Sequence, residues 1–221
     1  MISADRQPDD GPPPADSPGS GDFAPEQRVQ PRFALLLRQA KLLADGCEYL
    51  CIVRDVSESG VKLRLFHPLP PLRPGSSGFA LEITTGESFP IESVWEQEGE
   101  AGFRFTAPVD LLRFIAEAGP FPKRPVRLKV EHPALIAFGG QEHFAMIQDL
   151  SRQGAGIETE QLLAIGQKLR FSARELPHFD ATVCWRQHPA YGLVFDQLLS
   201  LEQLALRTYR IQHPLAPLAG E

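Results

Sequence analysis

Two basic clusters in this chain each precede the same short turn at nearly the same distance, which restricts the fold to two copies of one small unit. Arg28-Val-Gln-Pro-Arg32 precedes Asp55-Val-Ser57-Glu-Ser-Gly60, and Lys123-Arg-Pro-Val-Arg127 precedes Asp149-Leu-Ser151-Arg-Gln-Gly154. Arg32 lies 23 residues before Asp55, and Arg127 lies 22 before Asp149. Trp95, Gly102 and Phe105 recur as Trp185, Gly192 and Phe195 at an offset of 90, whereas the turns are offset by 94 and the second arginines by 95. The first copy therefore holds a few more residues between turn and tryptophan, and Pro68-Leu-Pro-Pro-Leu-Arg-Pro-Gly75 is the place for them. A chain of 221 residues accommodates two such domains of about 100 residues each.

The pattern within each copy is that of short strands. Val61, Leu63 and Leu65 alternate with Lys62 and Arg64, and Leu128 and Val130 alternate with Lys129 and Glu131. Phe89, Ile91, Ser93 and Trp95 are expected on one face, as are Phe179, Ala181, Val183 and Trp185. Period-two alternation interrupted by Gly and Pro predicts a small barrel or sandwich. Helical spacing follows at 110–117 and at 200–211, where Leu201, Leu204, Ala205 and Tyr209 form a stripe and Ser200 is the expected N-cap. Ala118–Lys123 reads as the linker. The division is a Pro/Asp/Gly-rich tail at 1–24, expected to be disordered, domains at 25–118 and 119–212, and a C-terminal tail at 213–221.

The net charge of −6 is a poor global descriptor, because five aspartates against Arg6 concentrate most of it in residues 1–24. No basic stripe of the kind that coats DNA or RNA is present. The apolar runs are too short for a membrane span, and no signal peptide is evident, so the expected location is cytoplasmic. Three cysteines fit a reducing compartment. Cys47 and Cys51, four apart on a strand and roughly 13 Å from each other, are expected to pack rather than pair, and Cys184 to pack beside Trp185. The six histidines form no HxH or HExxH pattern, and no nucleophile elbow or phosphate-binding glycine loop occurs. No metal, cofactor or catalytic residue is expected; Glu142-His143 reads as a surface pair.

The RxxxR and DxSxxG motifs, with the tryptophan strand and Gly-x-x-Phe ending, resemble the PilZ domain over residues 25–118 and 120–212. The resemblance implies two tandem six-stranded antiparallel β-barrels, each with a C-terminal helix. It also implies a non-enzymatic bacterial receptor for cyclic di-GMP. An arginine fork suits guanine O6 and N7 or a phosphate, and an aspartate accepts from guanine N–H groups. On that basis Arg28 and Arg32 are expected to hold guanine and phosphate, with Asp55, Ser57 and Gly60 receiving the other base. The second set is Lys123, Arg127, Asp149, Ser151 and Gly154, in which Lys123 is a point charge without a bidentate fork. The implied partner is a component of motility, exopolysaccharide or chemotaxis machinery. The alternative is a PilZ-fold interaction adaptor that does not bind nucleotide.

Overall fold

The computed structural model describes residues 33–116 and 125–214. The tail at 1–24, Arg28, Arg32, the whole linker with Lys123, and residues 215–221 of the C-terminal tail lie outside the described residues. Among those residues the strands close into two six-stranded antiparallel barrels of the same topology. The first comprises β1 (Phe33–Ala44), β2 (Cys47–Val56), β3 (Gly60–Arg64), β4 (Phe79–Glu82), β5 (Ser88–Gln97) and β6 (Glu100–Phe105), followed by α1 (Leu111–Ala116). The second comprises β7 (Leu128–Phe138), β8 (Gln141–Ser151), β9 (Gly154–Glu158), β10 (Lys168–Ala173), β11 (Phe179–Gln187) and β12 (Ala190–Phe195), followed by α2 (Leu201–Gln212). Around barrel 1 the order is β1-β2-β3-β6-β5-β4, and β4 pairs back onto β1 between Lys41↔Glu82 and Ala44↔Phe79. Barrel 2 repeats this as β7-β8-β9-β12-β11-β10. Closure leaves no open sheet edge. No described helix is long and apolar enough to cross a membrane.

The alternation read from the sequence produces the cores. Val61, Leu63 and Leu65 point inward with Leu42, Val53, Leu81 and Phe103, while Leu128 and Val130 join Ile136, Ile147, Phe171 and Leu193 in barrel 2. The tryptophans depart from expectation. A bulge between Ser93 and Trp95, repeated between Val183 and Trp185, inserts one residue and reverses the alternation. Trp95 and Trp185 consequently face outward, 43% and 41% exposed. Cys51 packs in the core and Cys47 lies against it, both as free thiols, and burial pushes the Cys51 thiol far up. Cys184 is exposed instead of packed, because its neighbour Trp185 begins the reversed register.

The glycines that end the motif turns have a packing reason. Neither Gly60 nor Gly154 has a positive φ. A Cβ on Gly60 would stand 2.9 Å from the Phe103 carbonyl oxygen, and one on Gly154 would fall well inside 3.0 Å of the Leu193 oxygen. Backbone crosses backbone there, so no side chain fits.

The two barrels share their cores at one joint. Tyr209 of α2 belongs to the cluster of barrel 1, and Leu50 of β2 belongs to that of barrel 2. Ser200 caps α2 as expected, accepting from the Gln203 N–H while Gln203 Oε1 accepts from the Ser200 N–H. At the other end of the helix the Gln212 amide brackets Glu48, accepting from its N–H at 3.3 Å and donating to its carbonyl at 3.1 Å. The buried Glu48 carboxylate accepts from the Lys129 N–H of β7 at 2.8 Å and pairs with Lys41 at 3.0 Å. Burial works to lower the Lys41 ammonium, but Glu48 and Glu82 together hold it above its ordinary value. Tyr49 Oη lies 2.8 Å from His213 Nε2, and His67 stacks on Tyr209 with ring centres 4.3 Å apart.

His67 donates from Nδ1 to the Pro68 carbonyl at 2.8 Å, while its Nε2 is buried without a hydrogen-bond partner among the described residues. Burial depresses its pKa from 6.5 to about 4. The unfolded chain therefore binds more protons at this residue, and stability is lost as the pH falls through 6.5, with the loss levelling off near 4. Between pH 7 and pH 5 the His67 contribution is a loss of about 2 kcal/mol. Urea unfolding at the two pH values should show this loss reduced in His67→Phe, and an equal loss in both proteins would contradict it. A second expectation concerns the turn glycines. Gly154→Ala should cost about 3 kcal/mol and Gly60→Ala about 1 kcal/mol, and equal urea midpoints for the two variants would contradict the backbone-contact account.

Candidate functional site

Each motif turn is a hairpin closed by its own serine. In barrel 1 the Ser57 N–H donates to the Gly60 carbonyl at 2.8 Å, and the Gly60 N–H donates to Ser57 Oγ at 3.1 Å. In barrel 2 Ser151 Oγ donates to the Gly154 carbonyl at 3.1 Å and accepts from the Gln153 N–H. Both serines are buried, so their hydroxyls serve the turn first. The carbonyls between them face the rest of the domain. Phe105 and Phe195 donate from their N–H to Ser59 and Gln153, and Val109 and Leu199 donate to Glu58 and Arg152. Arg152 Nε also donates to the Leu199 carbonyl at 2.8 Å, beside the α2 N-cap. The turn therefore fixes where the chain leaves the barrel for its helix. These backbone bonds leave no side-chain signature in the sequence beyond the repeated Phe105 and Phe195.

The arm and the turn meet in the second copy. Arg127 Nη1 donates to Asp149 Oδ1 at 2.8 Å, joining residues 22 apart in sequence. The side chains are 49% and 28% exposed, so the pair remains open to solvent and to a ligand. Asp55 occupies the corresponding place, since Ala34↔Asp55 and Lys129↔Asp149 are matching rungs, and one of its carboxylate oxygens is buried. Arg28, Arg32 and Lys123 lie outside the described residues.

The ladders add residues that sequence reasoning did not place in the site. Asp149, Gly156, Gly192 and Trp185 stand on one rung across four strands of barrel 2. The matching rung of barrel 1 is Asp55, Lys62, Gly102 and Trp95. Each indole folds over its neighbouring glycine, where a Cβ would collide with the ring nitrogen. The aspartate and the tryptophan start from the two ends of one rung, roughly 14 Å apart along the backbone at the strand spacing, and in barrel 2 both side chains lean inward over the adjacent pair Gly156 and Gly192. A planar cationic fork, a carboxylate and an aromatic face suit a flat heterocycle carrying both donors and acceptors. Lys62 Nζ donates to Glu100 Oε2 at 3.0 Å, and Arg54 Nε lies 3.9 Å from Glu100 Oε1. The sequence signal for these residues was the spacing of Trp and Gly, legible as a repeat but not as a shared rung.

A cleft of about 750 Å³ between barrel 1 and α2 adjoins the barrel 1 strip at Trp95 and is also lined by Arg54, Arg64, His67, Glu98 and Glu202. His143 stacks on Phe138 at 4.6 Å on the outside of barrel 2. Among the described residues no three His, Cys, Asp or Glu side chains cluster as metal ligands.

Among solved structures the chain is similar to PlzA of Borreliella burgdorferi in complex with c-di-GMP, at 15% identity and a TM-score of 0.34, covering 79% of this chain and 88% of that one. It is similar to the Bacillus subtilis inhibitor of motility MotI/DgrA at 14% identity and a TM-score of 0.35, covering 81% and 97%. For YcgR of Escherichia coli in complex with c-di-GMP the values are 12% and 0.30, with 80% and 84% covered. No curated protein matches the chain. The PilZ domain family model matches residues 26–116 and 123–210, one match on each barrel, and the chain belongs to the PilZ domain family.

Proposed function

We propose that this chain is a non-enzymatic receptor for cyclic di-GMP that turns nucleotide binding into a change of conformation or of exposed surface. The observation that carries the reading is the 2.8 Å clasp of Arg127 on Asp149, which brings the two halves of the motif together on an open face. In each copy the arm supplies cations to the guanine and the phosphates: Arg28 and Arg32 in the first, Lys123 and Arg127 in the second. Asp55 and Asp149 accept from guanine N–H groups. Ser57, Gly60, Ser151 and Gly154 hold the turn on which those aspartates depend.

The route outward from the site follows the hydrogen bonds already described. In barrel 2 the turn holds Leu199, Leu199 precedes the α2 cap, and the far end of α2 grips Glu48 of barrel 1. Ligand that favours one placement of the arm therefore biases the joint, provided its affinity differs between the two arrangements. The response would act in the bacterial cytoplasm on a protein of the motility, exopolysaccharide or chemotaxis machinery.

A second reading, an adaptor of the same fold without nucleotide, is favoured by the exposed cross-strand pair Leu135 and Phe144 on barrel 2. Isothermal titration separates the two. Cyclic di-GMP should bind the parent protein at micromolar concentration, and Arg28→Ala combined with Arg127→Ala should weaken binding at least tenfold, as expected for lost charge-assisted hydrogen bonds of about 1.5–3 kcal/mol. No heat with the parent protein, or unchanged affinity in the double variant, would favour the adaptor.

A further inference from the structure

The outer face through which barrel 1 meets barrel 2 has an open counterpart on barrel 2. On barrel 1 one outward rung runs Glu82, Lys41, Leu50 across β4, β1 and β2, and the next runs Ala80, Leu43, Glu48. Barrel 2 covers this face, so Leu50 is 0% exposed and belongs to the core of barrel 2. The corresponding rungs of barrel 2, across β10, β7 and β8, are Ser172, Leu135, Phe144 and Arg170, Ala137, Glu142. Here Leu135 is 41% exposed and Phe144 60%. Leucine stands where the covered face has Lys41, and phenylalanine where it has Leu50. The open rung is thus the more apolar one, and it leaves in water the position that barrel 1 buries.

The helices described do not supply the cover. The end of α2 is seated on barrel 1, where Tyr209 packs near Tyr49 and Gln212 brackets Glu48. At the repeat offset of 90 these two residues correspond to Gly119 and Pro122, so barrel 1 of another copy has no such grip to offer. The open face is instead complementary to itself. A twofold axis laid along β7 exchanges β10 with β8, which flank it at about 4.8 Å on either side. Each Phe144 then falls over the second copy's Ser172, each Arg170 over the second copy's Glu142, and Leu135 meets Leu135. A large side chain faces a small one, and a cation faces a carboxylate. Ser172 lies in a groove of about 300 Å³ with Pro133, Leu135, Arg174 and His178, which receives the ring. Arg170 and Glu142 are both exposed, and neither makes an ion pair among the described residues, not even Arg170 with its ladder neighbour Asp180. The same axis laid along β1 would set Leu50 over Glu82 and Glu48 over Ala80, with no such match.

We propose that two copies of this chain associate through the β10-β7-β8 faces of their second barrels, about a twofold axis along β7. The candidate ligand site stays open in this dimer. Lys129, the ladder partner of Asp149, lies six residues from Leu135 along β7, roughly 20 Å at the strand rise. The association does not depend on nucleotide, and it takes up the apolar pair that otherwise favours the adaptor reading.

The test is sedimentation velocity of the full chain without nucleotide, over a series of micromolar concentrations. The parent protein should pass from monomer to a species of twice the mass, and Phe144→Ser should weaken association at least tenfold. Arg170→Glu alone and Glu142→Arg alone should each weaken it similarly, because each sets like charges together at both ends of the rung. Mixing these two variants should restore association, since both contacts in the mixed dimer then pair opposite signs. All three positions are at the surface, and circular dichroism matching the parent's shows that the variants fold. A parent protein that stays monomeric at every concentration overturns the proposal and leaves the face to a protein partner. An association indifferent to Phe144→Ser, or charge variants that do not restore each other, also overturns it.

Discussion

The crossing of strands at Gly60 and Gly154 is the contact on which the rest of each barrel depends. At these points β3 passes against the carbonyl of Phe103, and β9 against that of Leu193, too close for any side chain. The approach lets the serine-closed turn turn its carbonyls toward the end of the last strand and the segment leading to the helix. It also sets the motif aspartate on the outer face, on a rung shared with a glycine and an outward tryptophan. The candidate ligand site and the helix exit thereby depend on the same few backbone atoms.

The second constraint joins the barrels. Glu48, Tyr49 and Leu50 form a seat on β2 that engages both β7 and α2. The carboxylate of Glu48 holds the Lys129 amide, and Lys129 is the ladder partner of Asp149. The joint and the candidate site of barrel 2 are therefore neighbours along one strand. Free energy spent at one is felt at the other, and coupling of this kind is reciprocal: a joint arrangement that favours ligand is favoured by it. The aromatic cluster of Tyr49, His67, Tyr209 and His213 adds a pH dependence to the same seat, since burial lowers both histidines.

Much of the fold was legible because period-two alternation reports burial directly. Val61, Leu63 and Leu65 sit where the pattern places them, and Ser200 caps α2 by the rule its side chain obeys locally. Trp95 and Trp185 do not share the face of Ile91 and Val183 as the alternation predicts, because a bulge leaves no compositional trace and reverses every residue after it. The aspartates and turn residues of the candidate site were legible as motifs. The role of Gly156 was not, because it depends on what lies across the ladder from it. Lys62 and Gly156 occupy equivalent positions of the repeat, and only the ladder shows the Asp149 carboxylate lying over the glycine. The joint at Glu48 was equally invisible, since Gln212 and Lys129 lie far from it in sequence.

The most direct measurement is an amide-resolved NMR titration of the full chain with cyclic di-GMP. The account predicts the largest shifts at the motif residues Asp55, Gly60, Arg127, Asp149 and Gly154, with smaller ones carried to Lys129, Leu199 and Ser200. Shifts confined to the cleft between barrel 1 and α2, or a spectrum unchanged at saturating nucleotide, would contradict it.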